Sequence, residues 1–316
     1  MIGRLWPWLQ AAEPQAEAAA APAEGGGLTL GEMIMHHVTD SRELEIPFGG
    51  ALRRIGLIDR TAIELPRFDP IQLGPVTLDL SPTKHVVFLF LAAILVAVVM
   101  IWTARKTHGK AAERAPKGVA NLIEAFVIYL RDEVALRNIG HGGERYVPYV
   151  LTLFFFILFA NLLGLLPWGA TATGNIAVTA TLAFLSLVLI EVSGFRTLGP
   201  RGYLRTIVFV PEGMPWYGKA LMAAIMTPVE LLGKVAKPFA LAVRLFANMT
   251  AGHLVVLALV GLIFVAAPVA SWILPVIAPV VMAVAIMVLE LFVALLQAFI
   301  FAMLTSVFIG LIRHAH

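Results

Sequence analysis

Uncharged apolar blocks of about twenty residues alternate with shorter polar, basic stretches along most of this chain, and that length matches the hydrocarbon core of a bilayer. Val86 to Trp102 carries no charge and would span about 25 Å at the helical rise per residue. Tyr146 to Leu166 is a second block, stopped by Pro167 and Trp168, and Asn175 to Phe195 is a third. Ala220 to Ala266 and Trp272 to Ile312, separated by a break at Pro268, are longer than a perpendicular crossing needs. Val119 to Val134 differs: Leu122, Ile123, Phe126, Leu130 and Val134 share one side, while Glu124, Arg131, Asp132 and Glu133 interrupt the rest. That is the pattern of an amphipathic helix lying in the membrane plane. The fold class expected is an all-α membrane protein with about five membrane-embedded helices, the last two long and tilted, plus one in-plane amphipathic helix.

Ahead of the first block the pattern is different. Residues 1–27 are rich in Ala, Pro, Glu and Gly, a composition that buries too little surface to order itself, and they lack the apolar core of a signal peptide. Residues 28–85 are polar and broken by Gly49, Gly50, Pro66, Pro70, Pro75 and Pro82. They predict a short helix near Leu30 to Val38 and two short strands within Ile71 to Leu80. The expected division is a disordered segment over 1–27, an external region over 28–85 and a membrane domain over 86–316.

Charge supplies the orientation. Arg105, Lys106, Lys110, Arg114 and Lys117 face only Glu113 in one loop, and Arg196, Arg201, Arg205 and Lys219 face only Glu212 in another. Arg313, His314 and His316 close the chain. Dense basic loops stay in the cytoplasm, so the N-terminus is expected outside and the C-terminus inside. Only 14% of residues are charged and 59% are hydrophobic, against about a quarter charged in soluble domains. A net charge of +3 without a lysine-rich run excludes a nucleic-acid-binding arm, and the absence of cysteine excludes thiol chemistry. No Gly-x-x-x-x-Gly-Lys-Ser/Thr phosphate loop is present.

The candidate chemistry lies in the last two blocks. Arg244 sits deep in an apolar stretch, and an arginine at membrane depth costs about 3 kcal/mol on insertion scales. Its charge is permanent, so it needs a partner protein, a polar cavity or water, unless it snorkels to the headgroups. At 100° per residue, Glu230, Lys237, Arg244, Asn248 and Ala251 form one stripe. Glu230 and Lys234, four apart, could alternatively form a solvated ion pair. Glu290 and Gln297, seven apart, share a face of the last helix. If the two long helices pack antiparallel, Arg244 with Gln297 and His253 with Glu290 total 541 and 543, so one register brings both pairs level. His253 falls opposite Arg244 on an ideal helix, so the partner must wrap or the helix curve. Gln297 alone could equally be a structural hydrogen bonder, whereas His253 and Glu290 make a relay of two titratable groups.

The segments Arg244-Leu245-Phe246-Ala247-Asn248-Met249-Thr250-Ala251-Gly252-His253 and Leu295-Leu296-Gln297-Ala298-Phe299-Ile300-Phe301-Ala302-Met303-Leu304-Thr305 resemble the signatures of subunit a of F-type ATP synthases. Weaker likenesses cover Met35-His36-His37, the helix around Glu124, Phe159 to Pro167, and Asn175, so the resemblance extends over residues 28–312. It implies a proton-translocating stator subunit of the membrane sector, in a bacterial inner membrane, that is not an enzyme by itself and needs no cofactor or metal. It implies two offset half-channels against a rotating c-ring, with peripheral-stalk b subunits and the remainder of the ATP synthase as further partners. Arg244 would face the rotor carboxylate, with Asn248 and Gln297 beside it. His253 and Glu290 match an acid and an imidazole that some relatives hold in the reverse order, Glu230 matches an acidic position on the cytoplasmic side, and Asn175 joins the proton path. Gly164 and the Thr171 to Gly174 loop lack acids found in some relatives. Two other readings compete: a secondary transporter with a mid-membrane anion site at Arg244, which would favour broken helices and a substrate-sized pocket there, and a scaffold whose polar residues only glue helices together.

Overall fold

The computed structural model describes residues 40–45, 62–68, 71–73, 76–78, 81–107, 118–166, 169–208, 215–266 and 274–314. The helix expected near Leu30 to Val38, the Met35-His36-His37 motif, the disorder expected over 1–27 and the basic residues Lys110, Arg114 and Lys117 lie outside them. Two small antiparallel hairpins come first: β1 (Glu43–Glu45) pairs with β2 (Ala62–Glu64), and β3 (Ile71–Leu73) with β4 (Val76–Leu78). The second matches the expected pair of strands within Ile71 to Leu80. The first has no alternating signal and is fixed by pairing alone.

The helices follow: α1 (Lys84–Thr107), α2 (Val119–Tyr129), α3 (Val147–Gly164), α4 (Ile176–Ile207), α5 (Trp216–Ala266) and α6 (Leu274–Arg313). Among the described residues five are long and apolar enough to cross a membrane, namely α1 and α3 to α6. At 51 and 40 residues, α5 and α6 would measure about 76 and 60 Å, so a bilayer of about 30 Å can contain them only if they run steeply inclined. Pro148 sits in the first turn of α3, where a missing N–H costs nothing. Asn175 caps α4, its side-chain oxygen accepting from the Ala177 N–H at 2.9 Å.

Two expectations need correction. The stretch holding Arg196, Arg201 and Arg205 is not a loop, because α4 continues through it to Ile207. The apolar count missed this because polar residues prolong a helix as readily as apolar ones once it leaves the membrane. A kink divides it at Gly199, whose φ of 68° and ψ of 175° are open to glycine, followed by Pro200. The in-plane element is also not one α-helix. After α2 it widens into a π-helical segment, Leu130–Leu136, and ends with one turn, Arg137–Ile139. The wider turn re-aims the apolar face: Leu130 and Val134 are buried as expected, while Leu122 faces outward.

The core lies where α3, α5 and α6 meet the π-helical segment, built from Leu130, Val150, Phe154, Ile157, Leu245, Phe301 and Ile309. Small residues let backbones approach there, as in membrane helix packing generally. A Cβ added at Gly310 of α6 would lie 3.0 Å from the Asn138 carbonyl carbon and collide with its oxygen. Backbone cannot rotate aside as a side chain can. Gly310→Val should therefore lower thermal stability in detergent by about 1–3 kcal/mol, and an unchanged melting midpoint would contradict the packing described.

Candidate proton path across the last two helices

Helices α5 and α6 are antiparallel neighbours. A Cβ at Gly252 would lie 2.8 Å from the Glu290 carboxyl carbon and 3.1 Å from its Cγ, so the glycine makes room for the acid. Lys237 lies 5.2 Å from the ring centre of Phe308. These pairs total 542 and 545, a register that embraces the expected level of His253 with Glu290. Gly252 is thus the partner that expectation lacked; its signal in the sequence is a missing side chain beside a titratable one.

The stripe on α5 turns outward. Glu230, Lys237, Arg244, Asn248 and Ala251 are all exposed, among exposed apolar neighbours that include Leu232, Phe239, Val243 and Val255. His253, nine residues on, is half-buried, as its place opposite Arg244 requires. Gln297 is only 5% exposed and Glu290 is half-buried. Arg244 and Gln297 are level in the register, but the guanidinium is turned outward and the amide inward. Glu290 packs against the bare backbone of Gly252, the residue before His253.

Two pockets with polar side chains in their lining touch α5, one on either side of Arg244 along the helix. One is a cleft of about 710 Å³ between α4, α5 and α6, lined by Glu191, Arg205, Glu230, Lys234, Lys237 and Phe308 among others. Lys234 reaches Glu191 at 3.2 Å, and the Tyr203 hydroxyl donates to the same carboxylate oxygen at 2.5 Å. The lysine also stands 4.8 Å over the Tyr203 ring. The Glu230–Lys234 pairing considered above is therefore not formed, since the lysine turns to α4 instead. Glu191 carried a legible signal, a lone carboxylate near the end of an apolar run, but no residue within α4's own turn explains it; its partner lies 43 positions away.

The other pocket is small, about 10 Å³, and is lined by His85, Thr171, Gly174, Met249, Thr250 and His253. Asn175 stands near it at the start of α4, its amide donating to Asp40 Oδ2 at 3.3 Å. Asn161, fully buried, ties the same end together: it accepts from Thr173 at 2.7 Å and donates to the Ala294 carbonyl at 3.4 Å. Arg244 lies between the pockets along α5, about 10 Å beyond Lys237 and about 9 Å before Thr250 by helix rise. Helix α5 runs unbroken through Arg244, and the larger pocket is lined by other residues.

The chain matches the family model described as ATP synthase A chain over residues 86–310. It is similar to ATP synthase subunit a 2 of Chlorobaculum tepidum, at 43% identity over 94% of this chain and 77% of that protein. It is 42% identical to ATP synthase subunit a 2 of Prosthecochloris aestuarii, over 95% and 86% of the respective chains. ATP synthase subunit a of Anaeromyxobacter dehalogenans is 43% identical over 96% of this chain and 79% of its own.

The Lys234–Glu191 pair is largely shielded, at 12% and 23% exposure. Lys234→Met should lower stability by about 2–3 kcal/mol, because the acid is then left without its cation. Adding Glu191→Gln should recover at least half of that loss in the same thermal unfolding assay. Equal stability of Lys234→Met and the parent would contradict the pairing.

Proposed function

The chain belongs to the ATP synthase A chain family and is the proton-translocating stator subunit of an F-type ATP synthase; from that premise we propose that Arg244 separates two half-channels, one at each pocket. The observation that carries this reading is an arginine on the outward face of a spanning helix, with a pocket on either side of it along that helix. A permanent charge there, beside exposed Phe239 and Val243, is stable opposite a protein that offers an anion.

The basic residues support an orientation. Arg196, Arg201 and Arg205 on α4 and Lys219 on α5 belong to the end that holds the large cleft, which is the cytoplasmic end by the positive-inside rule. Arg313 sits there too, donating to the His141 carbonyl at 2.7 Å and to Thr197 at 3.2 Å. The small pocket then opens toward the outside of a bacterial inner membrane, with the N-terminus external and the C-terminus cytoplasmic.

Protons entering from outside pass His253 and Glu290 and neutralise a carboxylate on the rotating c-ring, which can then turn into lipid. After a revolution the carboxylate meets Arg244, whose charge favours its ionised form and repels a proton moving straight across. The released proton leaves by the large cleft, past Glu230 and the Glu191–Lys234 pair. Each charge that crosses 100 mV yields about 2.3 kcal/mol, so several crossings are combined for each ATP. The nucleotide chemistry belongs to other subunits. The exposed apolar faces of α5 and α6, with Val281, Val288 and Phe292, suit the rotor. Those of α1 and α2, with Phe90, Ile94 and Leu122, suit lipid and the peripheral-stalk b subunits.

In membrane vesicles carrying the assembled complex, Arg244→Ala should abolish ATP-driven proton pumping. Gln297→Ala should only slow it, since it removes a neutral amide and leaves the charge. Full coupled pumping by an assembled Arg244→Ala complex would refute the assignment.

A further inference from the structure

The outer half-channel needs a way in from water, and the positions where some relatives carry acids hold none here. At Gly164 the place of a side chain is taken by Thr171, whose Cβ and Cγ2 lie 2.7 and 2.8 Å from where a Cβ would stand. The Thr171 to Gly174 turn contributes only Thr, Ala and Gly. Charge reaches this end from another part of the chain. The Lys84 N–H donates to the Ser41 carbonyl at 2.9 Å, and the Phe68 N–H to Ser81 Oγ at 3.0 Å. These bonds tie the external segment to the first turn of α1. Asp40 is thereby held with Oδ1 2.7 Å from Nδ1 of His85, within reach of direct proton transfer. Its other oxygen accepts from Asn175.

The pair grades from wet to dry. The Asp40 side chain is 29% exposed and that of His85 6%. His85 then lines the small pocket with Thr171, Gly174, Thr250 and His253, so two imidazoles share one cavity whose size, about 10 Å³, suits a single water. Between them Thr250 offers a buried Oγ1 that no protein group satisfies, a hydroxyl able both to accept and to donate. Lys84, also buried, is a further charged neighbour of His85.

We propose that Asp40 and His85 are the outer entrance of the proton path, an acid–imidazole pair that passes protons across a one-water cavity to His253. A proton taken from external water by Asp40 moves to one ring nitrogen of His85 while the other nitrogen gives one up toward Thr250 and His253. The pair returns to its starting charge after each transfer with the imidazole in its other tautomer, and a flip of the ring restores the first tautomer before the next proton arrives. This rests on the proton-translocating role above. A purely structural role, in which the pair only anchors the external segment, would change stability and leave flux alone.

The test is passive proton conductance and ATP-driven pumping in vesicles carrying the assembled complex. Asp40→Asn and His85→Gln should each slow both about tenfold or more, as loss of a proton-transfer group does. The exchange Asp40→His with His85→Asp should restore most of the rate, because one acid and one imidazole remain. Asp40→Asn complexes that assemble and conduct within twofold of the parent overturn the proposal. If Asp40→Asn does not assemble, Thr250→Val decides the matter in the same assay: a severalfold loss supports the path, and an unchanged rate removes it. Arg244→Ala, run alongside, separates the two claims. If it abolishes coupling while Asp40→Asn behaves as the parent, only the entrance falls; if it pumps normally, the half-channel reading itself falls.

Discussion

A guanidinium turned outward from an apolar helix is the constraint around which the rest of this molecule is arranged. Arg244 stands on the exposed side of α5, flanked by exposed Asn248 and Ala251, while Leu241, Leu245 and Met249 on the same helix fill the interior. The division is set by helix geometry: three or four residues separate neighbours on one face, so a charged stripe and an apolar stripe can run side by side for the whole length. Burying the apolar stripe against α6 fixes which way the charge must point. An outward charge at that depth is stable only when something polar or charged meets it, and the open apolar faces of α5 and α6 offer a large surface where a partner could do so.

From that constraint the separation of the pockets acquires a meaning. Both hold polar side chains, both touch α5, and Arg244 lies on the helix interval that separates them. The larger cleft is wide and holds cations on α4 and α5 around two acids. The smaller pocket is narrow and has two hydroxyls and two imidazoles in its lining, groups able to relay protons without carrying a fixed charge of either sign. Small residues set its shape: Gly252 admits Glu290, and Thr171 occupies the space over Gly164. Asn161 and Asn175 then hold α3, α4, α6 and the external segment in place around it.

Much of this was legible in the sequence, for identifiable reasons. Apolar block length gives the five spanning helices because a bilayer imposes a minimum length on each of them. The stripe through Glu230, Arg244 and Asn248 was legible because helical angles depend on spacing alone. What escaped depends on contacts between distant segments. Glu191 gains its meaning from Lys234 and Tyr203, and Asp40 from His85; neither pairing has a periodic trace. Gly252 escaped because an interface glycine signals by lacking atoms. The extension of α4 through its arginines and the π-helical widening after α2 were missed because both follow from packing and backbone geometry outside the apolar count.

The central claim is that the Arg244 face meets a rotor subunit and not lipid, and the absence of cysteine from the chain allows it to be tested with one introduced thiol. Ala247 and Ala251 flank Arg244 on the same exposed face. A cysteine at Ala251, oxidised in native membranes against single cysteines placed along the outer helix of the small c-ring subunit, measures proximity directly. The account predicts a disulfide-linked product at one depth on the rotor helix. No product at any depth, with the Ala251 position quenched by lipid-borne reagents in the assembled complex, would contradict it.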